Sequence, residues 1–300
     1  MAKQKLVMIG NGMAGLRTIE EILERSQSQF DITIIGKEPY PNYNRIMLSN
    51  ILQKKMTVED TIMNPYDWYQ ENNIELINND PVEKVDKENK IVTTSKGIEV
   101  EYDICIFATG SKAFVLPIPG SNLPSVIGWR TIDDTNKMIE IAQTKKRAVV
   151  IGGGLLGLEC ARGLLDQGME VTVLHLADWL MEMQLDRKAG EMLKADLEKQ
   201  GMKIELQANS KEIIGDKDVE AIKLADGRVI ETDLVVMAVG IRPYTEVAKD
   251  SGLDVNRGIV VNDYMQTSDS HIYAVGECAE HDGKVYGLVA PLYEQGKVLA

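Results

Sequence analysis

Two glycine-rich segments of the same form are the residues best suited to chemistry in this chain. They are Gly10-x-Gly12-x-x-Gly15 and Gly152-x-Gly154-x-x-Gly157. In this pattern the first glycine permits a tight turn, the second lets the backbone approach a pyrophosphate, and the third lets a helix pack closely on a strand. The N–H groups at the helix N-terminus then face the phosphates. The sequence therefore predicts two bound dinucleotides.

The elements that must position these segments also occur twice, and a strand before the glycines with a helix after them gives the motif its meaning. Both halves contain, in this order, a strand, a glycine loop, an amphipathic helix, a second strand, a β-hairpin and a buried strand. The predicted strands and helices are residues 5–9, 14–25, 31–35 and 102–110, then 147–151, 155–167, 170–174 and 232–240. The fold class is thus predicted to be α/β, with two Rossmann-like dinucleotide-binding domains.

Prolines mark the passages between the two copies. Pro117, Pro119 and Pro243 cannot continue a strand, so a linker is expected at each place. The predicted first domain comprises residues 1–119 and 244–300, and the second, residues 120–243, is inserted into it. Near the end, Pro291 opens a helical pattern without a stop signal. The chain is therefore expected to be a truncated form that lacks a C-terminal domain.

Composition excludes several classes of protein. A formal net charge of -13, without a Lys/Arg cluster, argues against a nucleic-acid-binding surface. With 44% hydrophobic and 26% charged residues the chain has the balance of a soluble globular protein. No apolar run reaches the roughly 18 residues of a membrane span, and no signal peptide precedes the first strand. A cytoplasmic location without membrane contact is expected.

Cysteine and histidine are scarce. Cys105, Cys160 and Cys278 are far apart and form no Cys-x-x-Cys, and the chain has only three histidines. This pattern predicts neither a disulfide nor a metal site. Cys105 and Cys160 are expected to be small core residues, and Cys278 is either a packed residue or a reactive thiol.

The motifs resemble those of the pyridine nucleotide-dependent flavoprotein reductases, a family with paired FAD and NAD(P) domains. The resemblance covers the whole chain and rests on the first glycine segment, on Tyr102-Asp103 with Ala108-Thr109-Gly110, and on residues 272–277. More narrowly, residues 41–49, 175–186 and 276–295 are similar to the N-terminal part of the large subunit of NAD(P)H-dependent nitrite reductases.

The resemblance implies a set of FAD contacts. Glu38 would accept hydrogen bonds from the adenosine ribose, although a solvated turn carboxylate is the other interpretation, and the carboxylate of Glu277 would hold the ribityl chain. Most members have Asp at that place. The implied FAD-binding residues are Gly10, Gly12, Met13, Ala14, Gly15, Glu38, Arg45, Ser49, Val82, Ala108, Thr109, Gly110, Arg130, Gly276 and Glu277.

A second implied set belongs to NAD(P). Glu159 occupies the helix position that faces the nicotinamide in similar reductases, or it is a partly exposed helix carboxylate. His175 stands where NAD-preferring relatives carry Glu, so the choice between NADH and NADPH stays open. The implied residues are Gly152, Gly154, Leu155, Leu156, Gly157, Glu159, His175, Val239 and Gly240, with Glu159 also as the catalytic candidate.

The implied activity is an FAD-dependent NAD(P)H oxidoreductase. Hydride would pass from NAD(P)H to the flavin, and electrons would leave singly for iron-sulfur and sirohaem centres in the absent C-terminal part, where nitrite is reduced to ammonia. The expected partners are those C-terminal redox domains or an electron-carrier protein, with a possible small subunit. The alternatives are a stand-alone NADH:rubredoxin or ferredoxin reductase and a redox-inactive dinucleotide-binding scaffold.

Overall fold

A computed structural model describes residues 3–26 and 28–300. The chain forms two compact units. The first unit contains the residues up to Asn44, then Ile62–Lys112 and Arg242–Ala300, and the second contains Arg45–Thr61 and Ala113–Ile241. Met1 and Ala2 lie outside the described residues, and the first strand begins at Gln4.

The helices carry the labels α1 to α8 in chain order. They are α1 Met13–Ser26, α2 Leu48–Leu52, α3 Tyr66–Glu71, α4 Ile132–Thr144, α5 Leu155–Asp166, α6 Arg187–Lys199, α7 Glu246–Asp250 and α8 Val289–Leu299. Short 3-10 helices cover Arg45–Met47, Glu59–Thr61 and Gly276–Cys278. Among the described residues, no helix is both long enough and apolar enough to cross a membrane.

The strands of the first half are β1 Gln4–Ile9, β2 Phe30–Ile35, β3 Asn42–Tyr43, β4 Ile62–Asn64, β5 Ile74–Ile77, β6 Val82–Asp86, β7 Ile91–Thr94, β8 Glu99–Glu101, β9 Ile104–Phe107 and β10 Ser111–Ala113. Those that follow are β11 Val126–Gly128, β12 Arg147–Ile151, β13 Glu170–Leu174, β14 Lys203–Glu205, β15 Ser210–Ile214, β16 Ala221–Leu224, β17 Val229–Glu231, β18 Leu234–Met237, β19 Ile241–Pro243, β20 Ile259–Val261, β21 Ile272–Ala274, β22 Ala279–His281 and β23 Lys284–Val285.

Each unit is built on a parallel five-stranded sheet. The first has the order β21-β9-β1-β2-β5 and the second has the order β11-β18-β12-β13-β14. Such sheets are buried on both faces, and the strand residues are accordingly apolar and β-branched. The predicted α/β fold with two Rossmann-like sheets is confirmed.

The strand ends meet where the glycine loops begin. Ile9 at the end of β1 lies beside Ile35 of β2 and Phe107 of β9. In the second sheet Ile151 lies beside Leu174 and Met237 in the same way. The carboxyl ends of the strands therefore share one edge, which is where open α/β sheets bind ligands.

Antiparallel sheets complete each unit. The sheet β6-β7-β8 belongs to the first unit and β15-β16-β17 to the second, and both contain the hairpin turn that the sequence predicts. Smaller sheets pair β3 with β4, β10 with β19, and β22 with β20 and β23. The pairing of β21 with β9 returns the chain to the first sheet.

The predicted boundaries differ from the division into units. Residues 45–61 and 113–119 belong to the second unit, whereas the predicted first domain includes both, and residues 242–243 belong to the first unit. The packing of α2 explains the largest difference. A Cβ on Gly163 of α5 would lie 2.5 Å from Leu52 Cγ, and the Gln167 side chain donates to the Leu52 carbonyl at 2.7 Å. A short apolar helix does not reveal from its own sequence which core it joins.

Candidate dinucleotide-binding loops

The first glycine loop is held tightly against the sheet. Gly10 has φ +116°, and a Cβ on it would lie 2.2 Å from the Ala108 carbonyl oxygen. Its N–H donates to Ile35 O at 2.8 Å, and the Ala108 N–H donates to Ile9 O at 2.8 Å. Only glycine fits this conformation and this approach. Gly15 lies close to Ala108 as well, so α1 packs directly on the strand end.

The second glycine loop repeats this arrangement. Gly152 has φ +119°, and a Cβ on it would lie 2.4 Å from Ala238 O. The Gly152 N–H donates to Leu174 O, and the Ala238 N–H donates to Ile151 O, both at 2.8 Å. A Cβ on Gly157 would lie only 1.9 Å from Gly152 O. The predicted roles of the first and third glycines therefore apply to both loops.

The middle glycines behave differently, and they test whether a dinucleotide fits. At Gly12 and Gly154 an added Cβ would have no atom within 4 Å. The first intrahelical hydrogen bonds run from Leu16 N to Gly12 O and from Leu158 N to Gly154 O. The N–H groups before these bonds have no intrahelical partner, and they point out of the helix N-terminus. Open space beside such donors suits a pyrophosphate.

Most of the other residues predicted to bind FAD belong to the same unit as the first loop. The Tyr43 hydroxyl donates to Glu38 Oε2 at 2.7 Å, so Glu38 is half-buried and engaged rather than simply solvated. The Thr109 hydroxyl donates to Tyr244 O at 2.7 Å, and the Tyr244 N–H donates to Gly110 O at 2.8 Å. Glu38, Thr109 and Gly110 all belong to the first unit. The predicted residues Met13 and Ala14 and the buried residues Ala108 and Val82 belong to it too.

The third motif of the family resemblance approaches the start of α1. Gly276 has φ +87°, and a Cβ on it would lie 3.0 Å from Ala14 Cβ. Its N–H donates to Gln295 Oε1 at 2.8 Å, and Ser111 donates to Glu277 Oε2 at 2.8 Å. The Glu277 carboxylate is therefore hydrogen-bonded inside the first unit.

Arg45, Ser49 and Arg130 belong to the second unit, whereas the other residues predicted to bind FAD belong to the first. One guanidinium N–H of Arg45 donates to Arg130 O at 3.3 Å. In the same unit, burial raises the pKa of the Glu159 carboxyl above its ordinary value, and a hydrogen bond with the Ser49 hydroxyl opposes that shift. The structure thus brings Ser49 to Glu159.

The residues predicted to bind NAD(P) lie around the second loop. Leu155 and Leu156 open α5 with exposed side chains, and Gly240 after β18 has φ +105° beside half-buried Val239. His175 is different, since its side chain is buried inside the unit. Its Nδ1 accepts a hydrogen bond from the Gly153 N–H at 3.0 Å, and its Nε2 lies 2.9 Å from Glu182 Oε2.

Several side chains that support the loops were not predicted. The Tyr69 hydroxyl donates to Asn11 Oδ1 at 2.8 Å and accepts from the Asn42 N–H at 3.1 Å, and Asn42 Nδ2 donates to Asn11 O. Gln295 likewise accepts from the Gly276 N–H, and Glu182 lies against the His175 ring that supports the second loop. The one sequence signal for these supporting side chains is Asn11, which lies inside the motif, because a side chain at this place must be accommodated beside the turn.

The three cysteines do not form a redox pair. All are free and fully buried, and burial raises the pKa of each thiol. Cys278 Sγ donates to the carbonyl of Val275 at 3.2 Å. Cys105 and Cys160 are core residues as predicted, and of the two interpretations of Cys278 the packed one applies.

Comparison with known proteins places this geometry in a family. The family model described as pyridine nucleotide-disulphide oxidoreductase matches residues 4–296. Over 300 residues the chain is 58% identical to nitrite reductase NAD(P)H of Bacillus subtilis strain 168, covering all of this chain and 37% of that protein. It is 48% identical to the assimilatory nitrate reductase electron transfer subunit of the same organism, covering all of this chain and 39% of that protein.

A solved structure gives the same result at lower identity. The NADH:rubredoxin oxidoreductase of Clostridium acetobutylicum superposes with a TM-score of 0.84 at 32% identity, covering 99% of this chain and 74% of that one. The resemblance seen in the sequence is confirmed. The chain belongs to the pyridine nucleotide-disulphide oxidoreductase family.

Proposed function

We propose that this chain is an FAD-dependent NAD(P)H oxidoreductase module, in which the first unit holds FAD and the second binds NAD(P)H. The observation that carries the proposal is the repeated glycine loop, closed by Gly10 and Gly152 and open at Gly12 and Gly154. Two such loops on parallel sheets suit two dinucleotides. The first loop is assigned to FAD because Glu38, a ribose-directed carboxylate, follows β2 at a hydrogen-bonded position.

Bound FAD supplies the hydride-accepting chemistry, and the protein has to bind, orient and shield the reactants. In the first unit, backbone N–H groups at the start of α1 bind phosphate oxygens and Glu38 binds a ribose. In the second, the start of α5 does the same for the coenzyme. Glu159 is proposed to position the nicotinamide, since its half-buried carboxyl lies on α5 and is hydrogen-bonded with Ser49.

A dithiol relay does not fit this chain. The thiols of Cys105, Cys160 and Cys278 are buried, and their raised pKa values favour the unreactive protonated form. Bound FAD would instead supply single electrons to a metal centre or a carrier protein. The similarity to nitrite reductase NAD(P)H favours iron-sulfur and sirohaem centres as the acceptors and nitrite as the final substrate.

A second candidate is a reductase that serves a separate carrier such as rubredoxin. The structural similarity to NADH:rubredoxin oxidoreductase favours it. Both candidates need the same two dinucleotide sites. They differ only in whether the electrons pass to another part of a larger protein or to a diffusing partner.

An anaerobic titration tests the shared claim. The chain is reconstituted with FAD and titrated with NADH, and in parallel with NADPH, while the visible absorption of the flavin is followed. Bleaching at one equivalent of either coenzyme is the expected result. Flavin that binds but stays oxidised with both would contradict the proposal. Rubredoxin is then added to the reduced form: rapid reoxidation of the flavin would favour the second candidate, and a flavin that stays reduced would favour the first.

A further inference from the structure

We propose that Glu182 makes the second unit select NADH over NADPH by repelling the 2′-phosphate. The inference rests on the proposed function, in which this unit binds the coenzyme. It starts from the internal repeat. In the first unit the Gly36 N–H donates to Ile77 O, and in the second the His175 N–H donates to Glu205 O at the equivalent place. Glu38, two residues after Gly36, therefore corresponds to Ala177.

The second unit thus lacks a carboxylate at the position equivalent to Glu38. Asp178 follows Ala177, but it is paired with Arg187 at 3.0 Å and with the Gln207 amide at 2.6 Å. Glu205 ends β14 and is paired with Arg228 at 2.6 Å. Both carboxylates are thus held in arginine ion pairs, and Arg228 pairs with Asp226 at 2.7 Å as well.

Glu182 is attached to the second glycine loop from two sides. The Met181 N–H donates to Gly153 O at 3.1 Å, and His175 joins the Gly153 N–H to the Glu182 carboxylate. Met181 has φ +58°, which bends the chain towards the loop. The carboxylate is therefore held at the loop that is proposed to bind the coenzyme, and its side chain stays 35% exposed.

The hydrogen bonds also fix the charge at this place. Since His175 Nδ1 accepts from a backbone N–H, the ring proton lies on Nε2 and is donated to Glu182. The imidazole in this arrangement is neutral, so it orients Glu182 without cancelling its charge. Among the described residues, His175 is the only ion-pair partner of Glu182.

The neighbouring side chains suit an adenosine. Leu176 follows His175 and is 69% exposed, and Met183 follows Glu182 and is 82% exposed. Apolar side chains held open beside a carboxylate match a purine base next to a ribose hydroxyl. Glu182 would accept a hydrogen bond from the 2′-hydroxyl of NADH. In NADPH the same position carries a phosphate with a charge between about -1.5 and -2, which a carboxylate repels.

Equilibrium binding to the FAD-loaded chain tests this assignment, with NAD⁺ and NADP⁺ as unreactive probes and calorimetry as the readout. The wild type is expected to bind NAD⁺ about tenfold more tightly than NADP⁺, and Glu182→Gln is expected to bring the two affinities within about threefold. Glu182→Asp keeps the charge and should retain most of the preference. Glu140→Gln, an exposed carboxylate of α4, makes the same change in net charge and should leave the ratio unaltered.

The outcomes separate this inference from the proposed function. If the wild type binds neither NAD⁺ nor NADP⁺, the proposed function fails and the role of Glu182 fails with it. If the wild type binds NAD⁺ but Glu182→Gln leaves the ratio unchanged, only the role of Glu182 is overturned. A wild type that prefers NADP⁺ would overturn it too, and a thermal melt of each variant confirms that the compared proteins are folded.

Discussion

The first glycine loop carries Asn11 opposite Gly36, whereas the second carries Gly153 opposite His175. A Cβ on Gly36 would lie 3.0 Å from Asn11 Cβ, and a Cβ on Gly153 would lie 2.7 Å from His175 Cγ. Each loop therefore pairs one glycine with one larger side chain, in opposite order. The backbone hydrogen bonds that close the two loops, from Gly10 and Ala108 in the first and from Gly152 and Ala238 in the second, are nevertheless equivalent.

This exchange shows that the repeated backbone does not dictate what supports it. The first loop is supported by neutral groups, because Asn11 bonds to the Tyr69 hydroxyl and to the Asn42 amide. The second is supported by an imidazole that also holds a carboxylate. A resident cofactor and a coenzyme that enters and leaves make different demands on a loop, and the two supports are proposed to reflect that difference.

The largest expected difference between the loops is in the loss of stability when the third glycine of each motif, Gly15 or Gly157, is replaced. A Cβ on Gly157 would lie 1.9 Å from the Gly152 carbonyl, which is rigid backbone, whereas one on Gly15 would lie 2.9 Å from the Ala108 methyl. Gly157→Ala is expected to lower the free energy of unfolding by about 3 kcal/mol and Gly15→Ala by about 1 kcal/mol. Urea denaturation followed by circular dichroism measures both.

Gly154→Ala is the matched control for these variants. The residue has φ -86°, which any amino acid adopts, and its Cβ would enter open space. Its free energy of unfolding should stay within about 0.5 kcal/mol of that of the wild type. Equal losses for Gly15→Ala and Gly157→Ala would show that the two loops are not differently crowded.

A smaller effect is expected when the side chain that supports the first loop, Tyr69, is changed. Tyr69→Phe removes the hydroxyl that joins Asn11 to Asn42, and leaves the buried Asn42 N–H and the half-buried Asn11 Oδ1 without this partner. The expected cost to FAD binding is about 1 to 2 kcal/mol, which is an FAD affinity about 5- to 30-fold lower with NAD⁺ affinity unchanged. Burial raises the pKa of Tyr69 to about 12, so its hydroxyl stays protonated and the effect should be the same at pH 6 and pH 9.

Tyr66→Phe is the control on the same helix. Its hydroxyl donates to Pro39 O at 3.0 Å, but the side chain is exposed and water replaces the lost bond. FAD affinity should stay close to that of the wild type. If Tyr66→Phe weakens FAD binding as much as Tyr69→Phe does, the hydrogen bond from Tyr69 to Asn11 is not the cause of the lower FAD affinity.

Much of the fold was predictable because its signals are local. The predicted strands at 31–35 and 170–174 match β2 and β13 closely, and α1 and α5 begin within one residue of their predicted starts. A glycine at the start of the motif indicates an unusual backbone conformation, since a φ of +116° at Gly10 excludes other residues. Periodicity and turn chemistry are properties of short segments, which is why they can be read from a sequence.

The remaining features depend on contacts between distant residues. Tyr69 meets Asn11 across 58 positions, and no spacing rule connects a tyrosine on α3 to a glycine loop. The assignment of residues 45–61 to the second unit depends on how Leu52 fits above Gly163. The correspondence of Ala177 with Glu38 emerged only from the hydrogen bonds of the two sheets.

The most direct test of the two-site account is a pair of substitutions at the open glycines, Gly12→Val and Gly154→Val, with FAD affinity and flavin bleaching by NADH measured for each. Neither side chain meets protein atoms at its Cβ, so both variants should fold. Gly12→Val is expected to lose FAD binding. Gly154→Val should bind FAD normally and lose bleaching by NADH. Loss of FAD from both variants to the same extent, or from neither, would contradict the assignment of one dinucleotide to each loop.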